Sequence, residues 1–169
     1  MNEFETEVWF EYLGPEQKLL VKDAYNLMSN VKAQMSKIGY HDYSFIVFPM
    51  AKAYEGFLKK FFYELELIEE YQYKGDHFRI GKALNPDLPK RFRGKEWVWD
   101  DLEKLCSRKL ADELWLGWKQ CRNRLFHFFP HLREGHALDL NKAEKAVEQL
   151  RKAMSAAVEC EALRRGKQD

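Results

Sequence analysis

One short segment of the chain, residues 121–131, combines residue types that could act on a phosphodiester. It contains Arg122, Asn123 and His127. Histidine transfers protons near neutral pH, and arginine neutralises a phosphate as negative charge builds on it. On a regular α-helix, Arg122 and His127 would point about 140° apart. A distortion near Pro130, or a second copy of the chain facing this one, is therefore needed to bring both side chains to one phosphate.

The same segment also fits a structural role or a metal site. Basic residues near a helix C-terminus interact favourably with the helix dipole, and a histidine between aromatic residues could belong to the core. Four potential metal ligands also lie close together in the sequence: Cys121, His127, His131 and His136. A proline interrupts the helix between the first two histidines, and the spacing matches no common metal motif. We therefore predict neither a metal ion nor another cofactor.

A single carboxylate, Glu55, falls on an otherwise apolar helical face. Residues three or four apart share a face of a helix, and this face holds Phe48, Ala51, Glu55, Leu58, Phe62 and Leu65. A carboxylate held against apolar neighbours needs a cation, because burying the charge alone is costly. Lys59, four residues further on, would give an ordinary surface pair. Arg122, or the group around His127, would instead make Glu55 part of a site.

A second concentration of cations lies in the segment 89–99. Four basic residues surround Phe92, and two tryptophans follow. Basic residues interleaved with aromatic ones suit a phosphate backbone with bases that stack, although such charge runs more often form solvated loops. The residues that we predict to bind RNA are Lys59, Arg124, Lys90, Arg91, Arg93 and Lys95.

Composition limits the class of protein. The chain has 169 residues, of which 46% are hydrophobic and 15% aromatic, and this predicts one folded domain over 1–169 with a core at about 15–163. The formal net charge of +1 gives no global attraction for nucleic acid, so any polyanion must be bound by a local patch. Three separated cysteines, with no signal peptide or membrane span expected, indicate a cytoplasmic protein with reduced thiols: Cys106, Cys121 and Cys160.

The hydrophobic periodicity predicts an all-α bundle of four to five helices. Pro49 lies inside the second predicted helix and indicates either a kink or the start of that helix. Glycines and prolines predict a long irregular loop over about 70–100. Residues 1–13 are expected to form a short strand or an ordered arm, and Asp139 or Asn141 is expected to cap the last helix. The four long predicted helices are 15–38, 43–69, 107–128 and 141–165; shorter ones are predicted at 100–106 and, within the loop, at 79–84.

Arg122, followed directly by polar Asn123 and after four intervening residues by His127, resembles the signature of the HEPN superfamily of nucleic-acid-processing helical domains. The segment Ala53–Lys59 is similar to the helix that carries a glutamate in the HEPN (antitoxin-binding) domain of the ribonuclease LS toxins, the RnlA/LsoA family. The likeness covers roughly residues 43–160. The further N-terminal domains of that family find no room in this chain, so a stand-alone version is expected.

The resemblance implies a metal-independent endoribonuclease that acts as a homodimer, with an antitoxin protein as partner in a toxin–antitoxin or phage-defence pair. Glu55, Arg122 and His127 would form its catalytic group, and Asn123 would orient the phosphate or the histidine. The alternative is a non-catalytic HEPN-type helical module that serves as partner or scaffold for another protein, such as a nucleotidyltransferase.

Overall fold

The computed structural model describes residues 3–34, 39–127 and 137–165. Residues 164 and 165 are described by their backbone only. Within these ranges every regular element is helical, which confirms the predicted all-α class. Two 3₁₀ turns, at Glu3–Thr6 and Lys90–Phe92, and one π turn, at Lys119–Asn123, accompany the α-helices. The α-helices are α1 (Val8–Tyr12), α2 (Pro15–Gln34), α3 (Ser44–Glu64), α4 (Glu70–Lys74), α5 (Ile80–Ala83), α6 (Trp99–Leu105), α7 (Arg108–Trp118), α8 (Leu140–Val158) and α9 (Glu161–Arg165).

Helix α3 forms the centre of the bundle and packs against both α2 and α8. Its inner face is built from fully buried aromatic residues, each of which stabilises the fold by about 1.5–3 kcal/mol through loss of water contact: Tyr54, Phe57, Phe61 and Phe62. The hydroxyl of Tyr54 donates a hydrogen bond to the Leu114 carbonyl of α7 at 2.9 Å. Pro49 lies within α3, so the prediction that the helix starts at this proline is wrong.

The predicted helix 107–128 is divided into α7 and a π turn. Ser107 caps α7 by accepting a hydrogen bond from the Leu110 amide at 3.1 Å. Beyond Trp118 the backbone widens, and the Arg124 amide bonds to the Lys119 carbonyl at 3.0 Å, five residues back instead of four. Hydrophobic periodicity does not distinguish these two bonding patterns. The angle between Arg122 and His127 that a regular helix would give therefore does not apply here. The distortion expected near Pro130 falls outside the described residues.

The N-terminal residues and the segment 70–100 contain more regular structure than the sequence indicates. Residues 3–12 form a 3₁₀ turn and α1, so the prediction of a strand is wrong; their apolar side chains meet the core at helical spacing. The interrupted segment 70–100 contains α4 and α5, and α5 lies where a short helix was predicted. Ile80, Leu84 and Val98 are buried there, so this segment covers part of the core.

Two of the three cysteines are paired. Cys106, at the end of α6, and Cys160, between α8 and α9, form a disulfide with their Cα atoms 5.5 Å apart. The prediction of reduced thiols is therefore wrong for this pair, because packing joins residues that are 54 positions apart in sequence. Cys121 is free and buried. No described helix is both long and apolar enough to cross a membrane.

Candidate functional site

The centre of the site is an ion pair between Glu55 and Arg122. Glu55 lies on the outer side of α3, and Arg122 lies in the π turn that follows α7. The Nε and Nη2 atoms of Arg122 both donate to Oε2 of Glu55, at 3.3 and 3.2 Å. Both side chains keep about a third of their surface exposed, at 33% for Arg122 and 35% for Glu55. The pair thus joins two distant parts of the chain and still faces solvent.

A buried tryptophan supports the arginine of this pair. The guanidinium of Arg122 lies 4.8 Å from the ring centre of Trp118, a cation–π contact that fixes the plane of the arginine. The edge of the same indole contacts Gly81 in α5. A β-carbon on Gly81 would lie 2.8 Å from the indole nitrogen, so only glycine fits here without displacing the ring. The segment 70–100 therefore helps to position Arg122 through Trp118.

An aromatic pair lies along the same side of α3. Phe126, four residues after Arg122, contacts Phe48 edge to face with ring centres 5.4 Å apart. Phe126 is half-buried, whereas Phe48 is 54% exposed. His127 follows Phe126 and is exposed. The π turn and the turn after it thus run along α3 from Glu55 towards Phe48.

After residues 128–136, the chain again contacts the residues at the start of α3. A carboxylate oxygen of Asp42 accepts hydrogen bonds from the amides of Ser44 and Leu138, at 2.9 and 3.0 Å. Burial raises the pKa of Asp42, but these hydrogen bonds outweigh burial and hold the pKa below its usual value. The amide of Tyr43 also donates to the Leu138 carbonyl at 2.9 Å. Phe126 and Leu138, which lie on either side of residues 127–137, are therefore both near the N-terminal half of α3.

Two of the predicted catalytic residues, Glu55 and Arg122, contact each other directly, and Asn123 lies beside Arg122 in the chain. Glu55 and Arg122 are in direct contact, which excludes the alternative surface pair of Glu55 with Lys59. The Lys59 ammonium instead donates to the Gly75 carbonyl at 2.8 Å. Asn123 is half-buried at the end of the π turn. The roles of these residues in catalysis remain predictions.

The predicted RNA-binding cations are not equivalent. Arg93 donates to the carbonyls of Leu88 and Pro86 and stacks on Trp97 at 4.2 Å, so it braces its own loop. The other cations of the segment are exposed and face solvent: Lys90, Arg91 and Lys95. Arg124, next to the π turn, is also exposed. Sequence reasoning did not select Lys52 or Trp118, and it placed Phe48 only on the apolar face of the helix. A search for cations and aromatic residues at helical spacing from Glu55 finds Lys52 and Phe48.

The described residues contain no cluster of three or more potential metal ligands among histidine, cysteine, aspartate and glutamate. Two histidines of the considered metal site, His131 and His136, lie outside the described residues. Burial raises the pKa of the Cys121 thiol to about 12, so this cysteine is protonated at neutral pH. Its sulfur lies 3.4 Å from the side-chain oxygen of Gln149.

Grooves elsewhere on the molecule do not include the ion pair. One groove of about 760 Å³ lies between α2, α7 and α8 and carries charges of both signs. Another, of about 770 Å³, borders the disulfide. Neither of these two grooves is lined by Glu55 or Arg122.

Comparisons with known proteins give no assignment: no family model, no curated protein and no solved structure matches this chain.

Proposed function

We propose that this protein is a metal-independent endoribonuclease of the HEPN type. The observation that supports this most is the Glu55–Arg122 pair, which forms across 67 sequence positions between the two segments that carry the resemblance. An arginine that is anchored by a carboxylate, stacked on tryptophan and still partly exposed is suited to bind a phosphate. The exposed His127, five residues further on, supplies a group that transfers protons near neutral pH.

The proposed reaction is an attack of the ribose 2′-hydroxyl on the adjacent phosphorus. His127 accepts the proton of the 2′-hydroxyl as the bond from O2′ to phosphorus forms, and the bond from phosphorus to O5′ breaks. The departing O5′ takes up a proton, either from the imidazolium of a histidine or from water. Arg122 stabilises the negative charge of the pentacoordinate phosphorus with its N–H donors, and Asn123 orients the phosphate or the histidine. The products carry a 2′,3′-cyclic phosphate and a 5′-hydroxyl.

The resemblance extends the proposal to biology. The enzyme would act as a homodimer, whose two sites share residues across the symmetry axis, and would be the toxin of a toxin–antitoxin or phage-defence pair. Its activity would then be controlled by an antitoxin protein. Expression of the active protein without that partner is expected to arrest growth.

The proposal is tested by comparing wild type with His127→Ala on a labelled RNA in buffer that contains EDTA. His77→Ala is the matched control, because the His77 side chain is 95% exposed and lies outside the site. We expect wild type and His77→Ala to cleave RNA and leave cyclic-phosphate ends, and His127→Ala to be inactive. Equal cleavage by His127→Ala would contradict the assigned role of this histidine.

One observation favours the alternative of a non-catalytic partner module. Two of the donor atoms of Arg122 are already bonded to Glu55 within the chain, as in an ion pair that serves only to join helices. A module of that kind would show no RNA cleavage and no effect on growth. In it, Arg122→Ala would alter only stability or the binding of a protein partner.

A further inference from the structure

The outer side of α3 carries three neighbouring side chains that differ in chemistry. Phe48, Lys52 and Glu55 follow one another at spacings of four and three residues, so they lie on one face of the helix. Phe48 and Glu55 are separated by about 10.5 Å along the helix axis. Most other large apolar side chains of α3 are buried, whereas Phe48 is 54% exposed.

The chain after α7 follows this face of α3. Arg122 meets Glu55 at one end and Phe126 meets Phe48 at the other. Lys52 lies between these two contacts on α3, is exposed, and forms no ion pair with any residue that the structure describes. Among the described residues, an exposed cation without an ion-pair partner thus lies between the exposed ring of Phe48 and the anchored Arg122.

We propose that Phe48, Phe126 and Lys52 form a subsite for one unpaired nucleotide of single-stranded RNA, beside the phosphate bound by Arg122. The base stacks on the exposed ring of Phe48, which Phe126 holds in place from its edge. The ammonium of Lys52 binds the neighbouring phosphate. The inference rests on the proposed ribonuclease function and adds the form of its substrate.

The charge of this surface favours a nucleic acid over a protein occupant. Lysine is depleted in the centres of protein interfaces, because its unpaired charge would have to leave water. A phosphodiester supplies a negative charge for the Lys52 ammonium, and a base supplies a flat apolar face for the ring of Phe48. A base inside a duplex has no free face, so single strands or loops are selected. Stacking accepts any base, so this subsite provides little sequence preference.

Binding to a ten-nucleotide 2′-O-methyl RNA with a fluorescent label tests the subsite independently of cleavage, because this ligand has no free 2′-hydroxyl. Fluorescence anisotropy is measured for wild type, Phe48→Ala, Phe48→Trp and Lys52→Gln. Tyr71→Ala is the matched control: Tyr71 is 72% exposed and lies in α4, beyond the far end of α3.

We expect Phe48→Ala to weaken binding by about 5- to 150-fold, the range for loss of one stacked base. Phe48→Trp and Tyr71→Ala should bind like wild type. Lys52→Gln should reduce the slope of log affinity against log salt by about 0.7, as expected for loss of one phosphate contact on a single strand.

The outcomes separate this inference from the proposed function. If Phe48→Ala binds the RNA as wild type does while wild type cleaves RNA, the subsite is wrong and the ribonuclease stands. If wild type neither binds nor cleaves RNA, both proposals fail. If Phe48→Ala instead converts a dimer into a monomer in light scattering, with unchanged RNA affinity, this surface is an interface between copies and the subsite is overturned.

Discussion

Replacing Glu55 by alanine should separate the effect of the ion pair on stability from its effect on activity. The substitution removes the carboxylate that accepts both the Nε and Nη2 hydrogen bonds of Arg122. Arg122 would keep its contact with Trp118 but lose the group that fixes its direction. We therefore expect a small loss of stability and a large loss of cleavage.

The structure sets the size of both effects. At 3.2 Å, two unit charges attract by about 1.3 kcal/mol in a water-like dielectric and by about 5 kcal/mol at an effective dielectric constant of 20. Because about a third of each side chain is exposed, the net contribution falls to about 0.2–1 kcal/mol. For a protein of this size that lowers the melting temperature by no more than about 2–4 °C. Loss of one positioned donor to a transition-state oxyanion costs about 100- to 1,000-fold in kcat.

Thermal unfolding and cleavage of a fluorescent RNA are measured on the same preparations. Glu11→Ala is the control, because Glu11 forms a 3.0 Å ion pair with Lys18 on the surface, and its loss should affect stability equally and activity not at all. Glu55→Gln, which keeps one oxygen acceptor, should fall between wild type and Glu55→Ala. Cleavage by Glu55→Ala within about twofold of wild type would refute the argument. A melting temperature lowered by about 10 °C or more would show that the pair serves the fold instead.

Three further changes test the surroundings of the site. Gly81→Ala should displace Trp118 and lower cleavage about 10-fold or more, whereas Gly94→Ala should have no effect, since a β-carbon there meets no atom within 4 Å. The pKa of Asp42 is lower in the folded protein than in the unfolded chain. Its carboxylate therefore stabilises the fold above the unfolded pKa, and this stability is lost as the pH falls through the folded pKa. The difference in unfolding free energy between wild type and Asp42→Asn should therefore shrink below about pH 4. Cys121, whose pKa is raised to about 12, should resist thiol reagents in the native protein at pH 7.5 and react after denaturation, which mass spectrometry detects.

The sequence identifies Glu55 correctly as a residue in need of a cation. Helical spacing shows which face it shares, and the cost of an unpaired carboxylate on that face is general. Its choice between Lys59 and Arg122 depends on how α7 packs on α3, which spacing along one helix does not contain. The contact with Arg122, at 3.2 Å, therefore becomes certain only in three dimensions.

Other features of the site have no equivalent sequence pattern. The π turn at 119–123 preserves the apolar spacing that also predicts a continuous helix, so its change of direction is hidden. Phe48 falls on an apolar face by periodicity and yet is 54% exposed, because periodicity does not show how far the covering elements extend. The disulfide joins Cys106 to Cys160 through the packing of α6 near the end of α8. Each of these depends on contacts between distant segments.

Cleavage of an RNA and of a DNA with the same sequence by wild-type protein in EDTA tests the proposed attack by the 2′-hydroxyl most directly. The proposed mechanism predicts that the RNA is cut to fragments with 2′,3′-cyclic phosphate and 5′-hydroxyl ends, and that the DNA, which has no 2′-hydroxyl, stays intact. Cleavage of the DNA, or cleavage of RNA only after a divalent metal is restored, would contradict it.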